Sequence, residues 1–185
     1  MIKQTDTKEA VRNRFPEAVA LIITKSKEGI VNLCPIGYFC MASPSPRTWA
    51  IGIHKEWQTN KNISETSEFV LCIPSMDQID DLLFCGSVHG TEIDKTKKLK
   101  LKFHKSEHIH PPVIEDAVAC FECKVTKSLP VNDHTFFFGE VLASYVSDKT
   151  WKDRIYNWDD VRLGTLTLGN KFKEIGYSPQ GKNKK

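Results

Sequence analysis

The residues able to do chemistry are spread thinly along this chain. Cys120-Phe-Glu-Cys123 has the spacing of a thiolate pair for a metal or a redox exchange, but no second CxxC accompanies it. It also lies in Ala117–Val125, which reads as a strand, and residues three apart on a strand point to opposite faces. The pair is therefore read as structural. Cys34, Cys40, Cys72, Cys85, Cys120 and Cys123 are expected as free thiols, most of them small core residues, as in Phe69-Val-Leu-Cys-Ile73. His104, His108 and His110 stand close together ahead of Pro111-Pro112; they could ligate a metal, but read first as a polar loop, and no metal is assigned. Asp80-Asp81 and Asp159-Asp160 are sequence neighbours, which do not face each other and make poor acid–base pairs. Neither glycine-rich phosphate loop, GxxxxGK[ST] or GxGxxG, occurs, and GxSxG is missing too. Any chemistry must come from residues brought together by the fold.

A chain of 185 residues with 40% hydrophobic content predicts one domain with a substantial core. No stretch approaches the ~18 uncharged apolar residues of a membrane span. The opening Met1-Ile-Lys-Gln-Thr-Asp6 has no apolar segment of a secretory signal, so a soluble, cytoplasmic protein is expected. The net charge of +3 is misleading, because residues 171–185 hold five lysines against Glu174 alone. The positive excess thus sits in the tail and not in a basic stripe on the folded body, which argues against a nucleic-acid partner. Residues 1–176 are read as a single domain and 177–185 as a Lys-rich flexible tail.

The elements that must position a site follow from patterning. Thr5–Phe15 predicts a short helix, with Asp6 and Glu9 spaced as a capping box. Ala18–Thr24 is an apolar, branched run expected as a buried strand, with Ile30–Cys34 returning as its hairpin partner. Pro35 and Pro44-Ser-Pro46 bracket a stretch read as loop, and Thr48–Ile53 and Glu68–Ile73 read as strands. Ser75-Met-Asp-Gln78 is a capping box opening a helix. Lys98–His104 alternates lysine with Leu99, Leu101 and Phe103, the pattern of a half-buried strand. Val113–Val125 and His134–Val146 add two more. Many strands with only brief helices between them leave no room for parallel crossovers. The expectation is a mainly β protein, an antiparallel barrel or sandwich with short peripheral helices.

The order of the remaining markers carries a resemblance. Pro16; Gly29, Asn32, Pro35; Ser43, Pro46; Thr59, Asn62, Ile63 and Glu68-Phe-Val70; Cys85-Gly86, Gly90, Asp94-Lys95; Pro112, Glu122-Cys123, Asp133-His134 and Gly139-Glu-Val141 stand in sequence. In this the chain resembles the flavin reductase-like, FMN-binding split-barrel family, which includes flavoredoxin and small NAD(P)H:flavin oxidoreductases, over roughly residues 16–145. The resemblance implies an antiparallel split β-barrel, a homodimer, FMN as cofactor, and hydride transfer from NAD(P)H to flavin and on to an unidentified electron acceptor. It implies a phosphate segment at Gly52, Ile53, His54, Lys55, Thr59 and Asn62, with Thr59 serving as both helix cap and phosphate donor. It implies a ring wall at Asn32, Pro35, Ile36, Gly37, Tyr38, Phe39, Cys40 and Ser43, with Cys85 nearby, and His134 as the catalytic contact to the nicotinamide. Two alternatives stay open: an FMN electron carrier reduced by a protein partner, and a non-redox FMN- or metal-binding module.

The chain also departs from the family pattern. Gly37 stands where relatives usually carry a serine. Trp57 and Gln58 replace a basic residue and an aspartate, which leaves His54 and Lys55 to neutralise phosphate. His89 replaces a serine before Gly90. The stretch Tyr156–Arg162 does not follow the family's usual ending.

Overall fold

A computed structural model of the chain describes residues 4, 6–10, 14, 16–91, 93–149, 151–152, 155–156, 161, 163–167 and 171–175. Of the helix expected at the start, one 3-10 turn, Thr7–Glu9, is described, closed by the Glu9 N–H on the Asp6 carbonyl at 2.9 Å. Residues 5, 11–13 and 15 of that segment, most of 153–162 and the lysine-rich tail lie outside the described residues.

The frame is a seven-stranded antiparallel sheet. It uses β2 (Ala20–Lys25), β3 (Val31–Ile36), β4 (Phe39–Pro44), β5 (Arg47–His54), β6 (Glu68–Ile73), β9 (Ala119–Val131) and β10 (His134–Val146), in the order β3-β2-β6-β9-β10-β5-β4. Short β1 (Glu17–Ala18) pairs with β13 (Leu163–Thr167), which pairs with β14 (Lys171–Ile175). Two small ribbons, β7 (Phe103–His104) with β8 (Val113–Ile114) and β11 (Trp151–Lys152) with β12 (Ile155–Tyr156), complete the strands. Helices α1 (Gln58–Thr66) and α2 (Ile79–Ser87) lie outside the sheet, and no helix among the described residues is long and apolar enough to cross a membrane.

The strands alternate between two cores. Ala20, Ile22, Ile51, Ile53, Phe69, Leu71, Cys123 and Phe137 pack together from five strands, so the sheet curls around them as a barrel interior. Leu21, Ile23, Val70, Cys72 and Cys120 point the other way and are covered by Leu82 and Cys85 of α2 and by the 109–118 loop. Strands β2 and β6 are buried on both faces, which explains their unbroken apolar runs. Among the described residues β3 and β4 are the two ends of the sheet and do not pair with each other, so the barrel is split. The patterning left barrel and sandwich open; the architecture is the antiparallel split β-barrel with peripheral helices that the resemblance implied.

Four local expectations are corrected. Phe39–Pro44 is strand β4 and not loop: Pro44 pairs with Arg47 around a two-residue turn, and proline is tolerated because β4 is an edge. Lys98–His104 is a strand only at Phe103–His104. Leu99, Leu101 and Phe103 do face the core, but the backbone is tied to side chain and turn, Lys100 N–H to Asp81 Oδ2 at 3.0 Å and Glu115 N–H to the Lys102 carbonyl at 2.9 Å. Val113–Val125 is broken by a turn after β8, with Asp116 at φ 58°. Finally, the cysteines are not all thiols. Cys72 and Cys120 are directly opposite on β6 and β9, with Cα atoms 4.1 Å apart, and form a disulfide. Cys123 does point to the face opposite Cys120.

Two buried carboxylates hold the histidine loop. Glu122 accepts the backbone N–H groups of Glu107 and His108, each at 2.8 Å, and the Tyr145 hydroxyl. Glu68 accepts from His110 N–H at 3.0 Å, from the His110 ring and from Lys124 Nζ at 3.0 Å. Among the described residues, no three His, Cys, Asp or Glu side chains converge as a metal site.

Candidate active site

Two cavities meet where Pro35, Trp57 and Gly86 line both. The larger, of about 380 Å³, is bounded by the β3–β4 turn, by Gly52 of β5, by Leu82 and Leu83 of α2 and by His134 at the start of β10. Its walls are mainly apolar, with few polar groups. The turn exists because Gly37 and Tyr38 carry the chain from one sheet edge to the other, with the Gly52 N–H bonded to the Tyr38 carbonyl at 2.8 Å. At one rim Arg14 donates from Nε and Nη2 to the Glu17 carboxylate at 2.7 and 2.8 Å, and its guanidinium lies 5.2 Å from the Tyr38 ring centre. A Cβ on residue 37 would come within 2.6 Å of the Glu17 carboxyl carbon, so any larger residue there displaces the Glu17 carboxylate from its place on the wall.

His134 stands at the other rim. Its Nδ1 donates to Asp133 Oδ1 at 2.8 Å, which leaves Nε2 as the uncommitted ring nitrogen. The same hydrogen bond lowers the Asp133 pKa below the ordinary aspartate value. Register places His134 opposite His54, and their rings meet edge to face at 5.3 Å, with Tyr38 at 5.4 Å from His134.

The smaller cavity, about 130 Å³, is richer in polar groups than the larger one. Gln58 and Thr59, the first residues of α1, line it, and the N-cap residue Trp57 supplies no side-chain cap, so the helix N-terminus keeps its anion preference. Asn32 Nδ2 donates to Thr59 Oγ1 at 2.9 Å, while Asn32 Oδ1 is buried and has no partner. A Cβ on residue 90 would lie 2.8 Å from the Asn32 side-chain carbon, so a larger residue there displaces the Asn32 amide. Lys95 is 4% exposed, and its Nζ donates to the carbonyls of Leu33 at 2.8 Å and Cys85 at 2.6 Å. Among the described residues no carboxylate pairs with it, and burial holds its pKa below the usual lysine range. Burial also raises the thiols of Cys34 and Cys85, the latter to about 12, so both are neutral walls.

The structure brings Asn32, Pro35, Ile36, Gly37, Tyr38, Gly52, Thr59, Cys85 and His134 to these cavities and leaves seven candidates off their walls. Ile53 and Phe39 face the barrel interior. Cys40 is exposed on edge strand β4, and Ser43 Oγ accepts the Ser45 N–H. Lys55 turns away to the Asn132 carbonyl, and His54 packs behind His134 and Trp57. Asn62 is buried one turn below, donating to Thr24 Oγ1 at 3.0 Å and accepting from Gln58 Nε2 at 2.7 Å. Thr59 is not the helix cap, a place taken by Trp57. Missed in the sequence were Arg14, Glu17 and Lys95. Lys95 was visible only as part of the Asp94-Lys95 marker, and no local signal distinguishes it from its neighbouring exposed lysines.

Comparisons with known proteins agree with this geometry. The flavin reductase-like domain model matches residues 12–166. An uncharacterised protein of Aquifex aeolicus is 30% identical over 164 residues, covering 85% of this chain and 83% of that one. Flavoredoxin from Methanosarcina acetivorans superposes with a TM-score of 0.85 at 23% identity, over 100% of this chain and 96% of that one. An FMN-binding protein from Thermus thermophilus gives 0.81 at 18% identity, over 97% and 99%. The domain match alone spans far more than half of the sequence, and the chain belongs to the flavin reductase-like family.

Proposed function

We propose that this protein binds FMN across the two cavities and works as a flavin oxidoreductase. Electrons would enter from NAD(P)H and leave to a separate acceptor. The carrying observation is Lys95, a buried ammonium held by two carbonyls with no carboxylate among the described residues, on the wall of a small cavity that shares Pro35, Trp57 and Gly86 with a larger, mainly apolar one. A phosphate dianion compensates that charge, assisted by the uncapped N-terminus of α1 and the Thr59 hydroxyl. The partnerless Asn32 Oδ1 fits a hydroxyl donor of a ribityl chain. The apolar slot between Tyr38, Trp57 and Leu82 fits a planar tricycle. Bound FMN would supply two-electron chemistry. The residues of this chain bind, orient and exclude water: Gly52 allows the close approach of Tyr38 and Phe136 behind the slot, and His134 offers Nε2 toward a nicotinamide.

The resemblance to flavoredoxin and to the FMN-binding protein supports this reading. Exposed Met41, Leu129, Val131 and Leu142 on β4, β9 and β10 support a homodimer. The test is FMN titration by fluorescence quenching, followed by anaerobic mixing of the holoprotein with NADH and NADPH. Quenching with bleaching of the visible flavin band is expected. Quenching without bleaching would replace the nucleotide by a protein donor, and no quenching would overturn the proposal.

A further inference from the structure

Resting on the FMN reading, the geometry points to Glu17 as the residue that selects the ring's orientation, by accepting a hydrogen bond from its N3–H. Among the described residues Glu17 is the carboxylate on the wall of the larger cavity, and its side chain is 14% exposed. Each of its oxygens takes one bond from Arg14, which fixes the carboxylate plane while leaving each oxygen a further lone pair. The space it fills is the space any side chain at position 37 would need, so Gly37 and the carboxylate form one interlocked wall.

The chemistry then restricts what can face it. A carboxylate only accepts hydrogen bonds. An oxidised isoalloxazine has a single donor, N3–H, between two carbonyls, and its dimethylbenzene end has none. An apolar edge against Glu17 would cover the remaining lone pair of each oxygen without supplying a donor, which costs desolvation with no return. Seating the pyrimidine edge there pairs donor with acceptor and directs the dimethylbenzene end toward the leucines of α2. Arg14 is a positioning residue in this scheme.

The test compares FMN with N3-methyl-FMN, in which the donor is replaced by a methyl group, by fluorescence-quenching titration. Wild-type protein should bind FMN at least about tenfold more tightly than the methylated analogue. Glu17→Ala should weaken FMN by a similar factor and bind both flavins alike. Glu17→Ala combined with Gly37→Ser, which sets an acceptor hydroxyl into the vacated space, should restore part of the discrimination. The Arg14–Glu17 pair lies at a rim and contributes little to folding, and circular dichroism checks this. Equal affinity of wild type for both flavins overturns the assignment while leaving FMN binding intact, whereas no binding of either refutes the FMN reading itself. Unchanged discrimination in Glu17→Ala, with a raised KM for NAD(P)H, would also overturn it and assign Glu17 to the nucleotide.

Discussion

Replacing Lys95 by glutamine should separate the two halves of FMN. The amide keeps N–H donors for the Leu33 and Cys85 carbonyls and removes only the charge. A hydrogen bond to a charged partner is worth about 1.5–3 kcal/mol, so FMN affinity should fall by roughly 10- to 150-fold. Riboflavin, which has no phosphate, should bind the variant and the wild type alike. The pH dependence has a definite sign. Lys95 titrates below its unfolded value, so the folded state binds fewer protons between the two pKa values and ligand-free stability rises with pH through that window. A bound dianion favours the ammonium and flattens this slope. Fluorescence titration of both flavins and urea melts with and without FMN read these effects. An equal loss of affinity for FMN and riboflavin would refute the phosphate role, because it would mean that Lys95 merely shapes the cavity.

His134→Ala should slow reduction of the bound flavin by NAD(P)H without releasing it, and stopped-flow traces matching the wild type would refute the contact. Glu122→Gln should cost about 2–4 kcal/mol, since one oxygen becomes a donor facing a buried N–H; urea midpoints check this. Burial opposes ionisation of Glu122, but the Tyr145 hydroxyl and the two backbone N–H groups outweigh it and lower its pKa. The stability it contributes is therefore present above the unfolded value near ~4.3 and is lost as pH falls through the folded one, a slope the glutamine variant should lack. Reducing the Cys72–Cys120 disulfide should release a loop with a sequence separation of 48 and cost up to about 4 kcal/mol, read as a lower melting temperature in reductant.

The barrel was legible wherever burial on both faces writes a continuous apolar run, as in β2 and β6, or where a long hairpin keeps its alternation, as in β10. It was illegible at β4, whose polar residues and Pro44 suit an edge strand as well as a loop. Lysine alternation at 98–104 reported correctly which residues face inward, yet periodicity does not reveal whether a backbone partner is at hand. In the site, the β3 residues and His134 could be read because the family order carries them. Lys95 and Glu17 could not, since their roles come from carbonyls and a glycine far away in sequence. The disulfide was missed for the same reason: only the β6–β9 register sets Cys72 across from Cys120.

Because α2 has one side in the packed layer over β2 and β6 and another on the cavity wall, Leu82 and Cys85 serve cohesion and ligand fit at once. Variants that enlarge the slot from this helix will trade thermal resilience for new guests. Reshaping through Tyr38 or Trp57, which stand outside both apolar clusters, should cost the scaffold less. Directed evolution for altered acceptors should accordingly collect changes on the turn side of the cleft and spare the helix.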